Sequence, residues 1–303
     1  MVKALPGGDL RRGEIVMLEY TSPAKVNLVL EVLGKRPDGY HELKSIVQTI
    51  DLCDTLYFEL AEEVSFQCTE PALNTSQNLV VRAANLLKQT TGYGGGAKVL
   101  LEKRIPWGAG LGGGSSNAAI TLIALNRLWG LNLSHSELAG LATRLGSDVP
   151  FFIYGSTALV EGRGEKVTPL DALPTIWLVL LIPPFTGMPD KTRRLFSLLK
   201  PEHYTSGEFV SKALESQRKQ GGIAPSLMFN TFDKIAFETF PSLEYYWNAF
   251  QEVGATYIHL VGSGPCLFSA ADNRSHAEAI ATSLTKKGLK AFVTSTKPAR
   301  RDP

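Results

Sequence analysis

Cysteine is scarce: the 303-residue chain has three, Cys53, Cys68 and Cys266, odd in number and without a CxxC pair. That excludes an even disulfide framework and fits a reducing compartment. Histidine is thin as well. The five are scattered without HExxH or other ligand spacing, so no structural zinc and no metal cage of protein side chains is expected. Excess charge is missing: 31 Lys and Arg stand against 29 Asp and Glu, a net charge of +2. Nucleic acid calls for clustered basic residues, and none is expected as a partner. Long apolar runs are missing too. The longest, TIWLVLLIPPF, ends in prolines at roughly half the ~20 residues of a membrane span. It reads as a buried strand, with no membrane partner expected. The opening MVKALPGGDLRRGEIVM lacks an apolar h-region, and it is not an Arg/Ser-rich, acid-poor leader. A cytoplasmic protein is therefore expected, with residues 1–16 as a flexible extension.

What is present describes a globular protein of mixed α/β type. Hydrophobic residues make up 44% and charged residues 20%, in a chain long enough for two ordinary domains. Residues 15–33 give two strand-like runs broken at Ser22-Pro23, and 44–60 continue with β-like runs. Helical spacing over 78–92 ends at Gly92, and 134–146 carries Ser134 and Glu137 at capping-box spacing. Strands are expected at 151–162, 175–182, 256–263, 266–270 and 290–296, with helices near 240–253 and 275–288. That ending suits a small antiparallel sheet with helices on one face, an α+β module. A boundary is expected near 170, giving domains 1–170 and 171–303.

The stretch PWGAGLGGGSSNAA, Pro106 to Ala119, carries the strongest chemical signal. It is a glycine-rich loop feeding a helix at about 115–129. Three phosphate-binding patterns compete for it. A Walker loop needs GK[ST], and no lysine precedes Ser115. GxGxxG matches literally at Gly108, Gly110 and Gly113. The dinucleotide motif, however, needs a βαβ unit and an acidic residue about 20 positions on at a strand end. Here two helices follow in succession. What remains is a loop whose backbone N–H groups cradle an anion at a helix N-terminus, with Ser115 and Ser116 as added hydroxyl donors. A tight turn that holds nothing is the bland alternative.

This stretch resembles the second motif of the GHMP kinases. SPAKVNLVLEVLGKRPDGYHEL (22–43) resembles the first motif and LVGSGPCLFSA (260–270) the third. Together with LGSDVPFF and EGRGEKVTPL, the likeness spans about residues 20–296. It implies a two-domain α+β fold. The N-terminal half would be like the second domain of ribosomal protein S5 and the C-terminal half ferredoxin-like, with the active site in the cleft between them. It implies ATP and Mg²⁺, the metal held largely by phosphates and water. GYHEL and the doubled-glycine loop narrow the likeness to a branch whose acceptor is a cytidyl-diphosphate sugar alcohol, phosphorylated at its 2-hydroxyl on the methylerythritol phosphate route to isoprenoid precursors. Another small-alcohol kinase of the family, of homoserine or mevalonate type, and a non-catalytic ligand-binding relative stay as alternatives. Monomer and homodimer are both open.

Roles follow residue by residue from the same resemblance. Asp148 in GSDVP matches the catalytic aspartate and Lys25 in SPAKVN the catalytic lysine. Pro106, Trp107, Gly108, Ala109, Gly110, Leu111, Gly112, Gly113, Gly114, Ser115 and Ser116 would line the ATP phosphates. Asn78, with Leu79 and Val80, matches a nucleotide-lining segment, although Gln77 stands where the family has Asp. Asn27 would contact the substrate, and Tyr40 and His41 match the cytosine-recognising pair. Thr192 and Phe196 in TRRLF match a substrate-site threonine and the second wall of the base site, with Phe185 as the other candidate for that wall. Near 230, Asn230 fits the pattern and Thr231 departs from its Asp. Gly262, Ser263 and Gly264 would supply a close backbone approach, and Pro265 has no N–H to donate.

Overall fold

The computed structural model describes residues 17–184 and 190–297. The extension expected at 1–16 and the candidate Phe185 lie outside the described residues. The chain divides into two compact units, neither of them continuous in sequence. One takes residues up to 24, then 52–105 and 112–154; the other takes 25–51, 106–111 and everything from 155 on. Two long strands, β1 (Met17–Lys35) and β2 (His41–Ala61), pass from one unit into the other. The break expected at Ser22-Pro23 does not occur. Proline's fixed φ is compatible with extended backbone where its missing N–H is not needed.

In the first unit β3 (Ser65–Cys68) pairs parallel to β4 (Gly96–Glu102), and β4 pairs antiparallel to the Thr55–Ala61 end of β2. Helix α1 (Leu79–Thr91) buries Val80, Ala83, Ala84 and Leu87, the stripe its spacing predicts. Gly92 closes it in the left-handed region at φ 69°. Helix α2 (Gly113–Leu128) is buried on more than one face and packs on α1, α3 (His135–Thr143) and α4 (Val149–Tyr154). The Ser134–Glu137 capping box opens α3 as expected. The FFIY segment, expected as the start of a strand, is α4 instead. Pro150 suits the first turn of a helix. Phe151, Phe152 and Ile153 are buried with Val149 as packing surface rather than as strand formers, and Tyr154 is exposed.

In the second unit the Leu43–Gln48 part of β2 pairs antiparallel to β5 (Thr157–Gly162), and β5 to β6 (Lys166–Pro169). Strand β7 (Trp177–Leu181) is the buried strand expected in TIWLVLLI. Val29 and Leu30 of β1 pair parallel to β8 (Phe229–Asn230). The chain beyond β7 runs through α5 (Lys191–Leu198), α6 (Glu208–Gln220), α7 (Ala236–Thr239) and α8 (Leu243–Glu252). A four-stranded antiparallel sheet follows, in the order β11 (Ala291–Ser295), β7, β10 (Leu267–Ala271), β9 (His259–Leu260). Helix α9 (Arg274–Lys286) packs across β11, β7 and β10. Val179, Leu181, Leu260, Leu267, Phe232, Phe250 and Ile280 join one core with Leu30 and Val32 of β1. Of the strand expected over 256–263 only His259–Leu260 forms, and the chain then turns into the loop at 261–265.

Candidate active site

Three sequence motifs meet at Lys25 within the second unit. Its side chain is only 5% exposed, on β1, and Nζ donates to Asn27 Oδ1 at 2.7 Å. The two share a strand face, because residues two apart do. Asn27 Nδ2 donates to Ser45 Oγ at 2.9 Å, and Ser45 Oγ donates to Val29 O at 2.7 Å. The chain fixes the amide's orientation, leaving its oxygen for the ammonium. The Lys25 N–H donates to Leu111 O at 2.9 Å, tying the strand to the glycine-rich loop. Gly262 has φ +56°, and a Cβ there would lie 2.9 Å from Lys25 Nζ and 3.3 Å from Asn27 Oδ1. Only glycine lets this backbone come so close. Gly110 does the same on the other side: at φ +92° its Cβ would meet Val261 O at 2.4 Å. Asn230 Nδ2 holds Leu260 O and Gly262 O, each at 2.9 Å, so Asn230 braces the third-motif loop.

The glycine-rich loop continues into the first unit at Gly112, which precedes α2 with φ 71° and gives it no side-chain cap. The opening N–H groups of α2 suit an anion there. Its two serines differ. Ser115 is partly exposed, whereas Ser116 is fully buried and accepts from Ser22 Oγ at 2.7 Å. Just before the loop lies an ion pair that sequence reasoning missed. Lys103 Nζ donates to Asp54 Oδ2 at 2.8 Å and to Ile105 O at 2.5 Å. Asp54 Oδ1 accepts from the Arg104 and Ile105 N–H groups at 2.7 and 2.8 Å. Burial pushes the Lys103 ammonium below its ordinary pKa, and Asp54 pulls it back. Removing one member of such a pair strands the other charge. Lys103→Met is expected to destabilise the first unit by about 3–5 kcal/mol, read as a lower urea midpoint, with Asp54→Asn/Lys103→Met recovering most of the loss.

Aromatic rings gather around His41 in the second unit. The His41 and Phe196 rings lie 5.0 Å apart, tilted by 31°, and Phe196 meets Phe232 edge-on at 5.0 Å. Tyr204 lies 6.0 Å from His41, its hydroxyl 3.4 Å from Nε2. Burial, with Lys35 nearby, lowers the His41 pKa. The ring is thus held neutral at physiological pH, with one donor and one acceptor nitrogen. Tyr40 is 56% exposed, and the Arg163 guanidinium sits 4.5 Å from its ring centroid. The hairpin that presents Tyr40 is set by Arg36, paired to Asp38 at 3.2 Å and Glu42 at 2.5 Å. Tyr204 has no spacing or motif to mark it. Arg163 stood inside EGRGEKVTPL and could have been found there.

The remaining candidates are placed as follows. Asp148 is exposed, immediately before α4 in the first unit. Asn78 caps α1: Oδ1 accepts from Val80 N at 3.0 Å and Nδ2 donates to Leu73 O at 3.0 Å. Thr192 Oγ1 lies 2.9 Å from Ser263 Oγ, which joins α5 to the third-motif loop. Among the described residues no group of three or more His, Cys, Asp or Glu could hold a metal ion. Among the described residues no helix is long and apolar enough to cross a membrane.

The second unit sets a buried lysine against two glycine loops, and the first carries the helix, without a side-chain cap, that follows one of them. The models for the GHMP kinases N-terminal domain and the GHMP kinases C-terminal domain match residues 78–156 and 211–290. A relative from Dehalococcoides mccartyi strain BAV1 is 46% identical over 280 residues, 92% of this chain and 98% of its own. The chain belongs to the GHMP kinase family of ATP-dependent kinases. That relative is named 4-diphosphocytidyl-2-C-methyl-D-erythritol kinase. A crystal structure of a 4-(cytidine 5'-diphospho)-2C-methyl-D-erythritol kinase is 35% identical with TM-score 0.78, covering 92% of this chain and 98% of that one. A homoserine kinase from Cytophaga hutchinsonii, 16% identical, shares the fold with TM-score 0.74 over 97% of this chain and 98% of its own.

Proposed function

We propose that this chain transfers the terminal phosphoryl group of ATP to the 2-hydroxyl of 4-diphosphocytidyl-2-C-methyl-D-erythritol, in the cytoplasm. The ring cluster of His41, Phe196 and Tyr204 carries the choice of acceptor. A pyrimidine needs a stacking surface and a neutral donor–acceptor group for its edge, whereas homoserine or mevalonate has no use for either. Tyr40, backed by Arg163, adds an exposed ring beside it in sequence. Thr192 and Asn27 are assigned to the acceptor.

Residues 107–115 are assigned to the ATP phosphates through backbone N–H groups, joined by the Ser115 hydroxyl, while Pro106, which has no N–H, shapes the start of the loop. Ser116, whose hydroxyl is bonded to Ser22 and whose N–H donates to Gly112 O at 2.9 Å, would contribute by holding the first turn of α2 in place. A nucleotide contact by Asn78 would use the second hydrogen of its amide, since the other groups cap α1. Asp148 receives the hydroxyl proton, and Lys25 offsets negative charge on the oxygens around the transfer. Mg²⁺ would neutralise phosphate charge, held by phosphate oxygens and water. The division between the family's two domains is assigned near 170, a reading supported by family models that match 78–156 and 211–290 on either side of it.

ADP release tests the reading. Turnover is expected with the cytidyl substrate, with kcat/KM for homoserine and mevalonate at least 10³-fold lower by order of magnitude, because losing the base leaves a built polar pocket unpaired. No turnover of the cytidyl substrate beside turnover of either alcohol would overturn it.

A further inference from the structure

Lys191, at the start of α5, was given no role by its motif, yet it reaches the same loop as Lys25. Its Nζ donates to the Gly264 carbonyl, two residues beyond the glycine that Lys25 abuts. The neighbouring Thr192–Ser263 hydrogen bond holds α5 to that loop. The segment 262–264 thus carries one ammonium at each end, Lys25 and Lys191. They are close enough that Lys25 repels charge on Lys191. Burial is the larger influence, and the two together push the Lys191 pKa down to about 8. Its other neighbour is Cys266. That thiol is fully buried and itself pushed up by burial, so it stays neutral. On its own element Asp190 is turned to Arg193, at 3.8 Å. Two like charges pressed together in a half-dry site raise the free energy of the empty protein. An anion between them lowers it, which is the usual reason such pairs occur at functional sites.

We propose that Lys191 is a second ammonium of the phosphoryl site, holding phosphate oxygens together with Lys25. This rests on the kinase reading above. The oxygens belong either to the terminal phosphate of ATP or to the diphosphate of the acceptor, which share this chemistry. A purely structural alternative is that Lys191 only pins the loop through Gly264. The two roles separate with pH. A neutral amine still donates an N–H to a carbonyl, so pinning survives deprotonation. Binding of a phosphate by charge does not.

The experiment is steady-state kinetics of the wild type, Lys191→Met and Lys191→Arg from pH 6.5 to 10, with ATP and the cytidyl substrate each varied. Wild-type turnover is the first requirement, and its absence defeats the kinase reading rather than this inference. Given turnover, wild-type kcat/KM is expected to fall above pH about 8 as Lys191 loses its proton. Lys191→Met should lower kcat/KM at pH 7 by about 10–100-fold, the worth of a charged hydrogen bond. It should also lack the high-pH fall. Lys191→Arg should recover to within a few-fold of wild type and carry the fall beyond the range, since arginine stays charged. A loss expressed as KM for ATP or as kcat assigns the contact to the transferred phosphate. A loss confined to KM for the acceptor assigns it to the acceptor diphosphate. Wild-type values for Lys191→Met, or the same fall near pH 8 in all three proteins, overturn the proposal.

Discussion

Asp148→Asn is expected to lower kcat by about 10²–10⁴-fold while leaving ATP binding within a few-fold of wild type. The substitution keeps shape and removes the one property the proposed chemistry needs. An amide cannot take a proton from an attacking hydroxyl. Phosphoryl transfer has little other covalent work for the protein, so the remaining rate reflects positioning and charge neutralisation alone. Asp148 is exposed and lies just before α4. A thermal melt of the variant separates lost activity from lost structure. Steady-state kinetics, ATP titration by calorimetry and a thermal melt suffice. An unchanged kcat would remove Asp148 from the mechanism.

Lys25→Met is expected to lower kcat by about 10²–10³-fold, the usual effect of deleting one electrostatic stabiliser. The ammonium is buried and aimed by Asn27, whose own amide is held by Ser45. A pre-aimed charge in a dry site acts without having to reorganise during the reaction. Lys25→Arg should not rescue. Gly262 brings its backbone so near that a Cβ there would lie 2.9 Å from Nζ, and the wider, planar guanidinium is expected to need the loop to move. This contrasts with the rescue expected at Lys191, which is less enclosed. The readouts are kcat for both variants and near-UV dichroism for loop packing. Activity near wild type in Lys25→Arg would mean that the loop does not confine the lysine.

Legibility in the sequence followed the range of the interaction involved. Helices α1 and α3 could be read with their caps, because apolar spacing and capping chemistry act over three or four residues. Strand β7 could be read from a short apolar run between turn signals. The FFIY helix could not. Its composition favours a strand, and the burial of Phe151, Phe152 and Ile153 in a helix packed on α2 and α3 overrides that preference. The continuous β1 was hidden in the same way, since a proline's effect depends on whether its position needs a donor.

By itself the sequence determined the glycine-rich loop and the helix after it, the absence of a Walker lysine and the family motifs, because each is written in consecutive residues. Tertiary structure alone decided which distant residues complete them. Asp54 is brought to Lys103, Asn230 to the 260–262 carbonyls, Tyr204 and Phe196 to His41, and Lys191 to Gly264. These partners are 49, 30, 163, 155 and 73 residues apart or of that order. No local propensity acts across such distances. Burial and hydrogen-bond satisfaction select the contacts, and both exist only once the chain has folded.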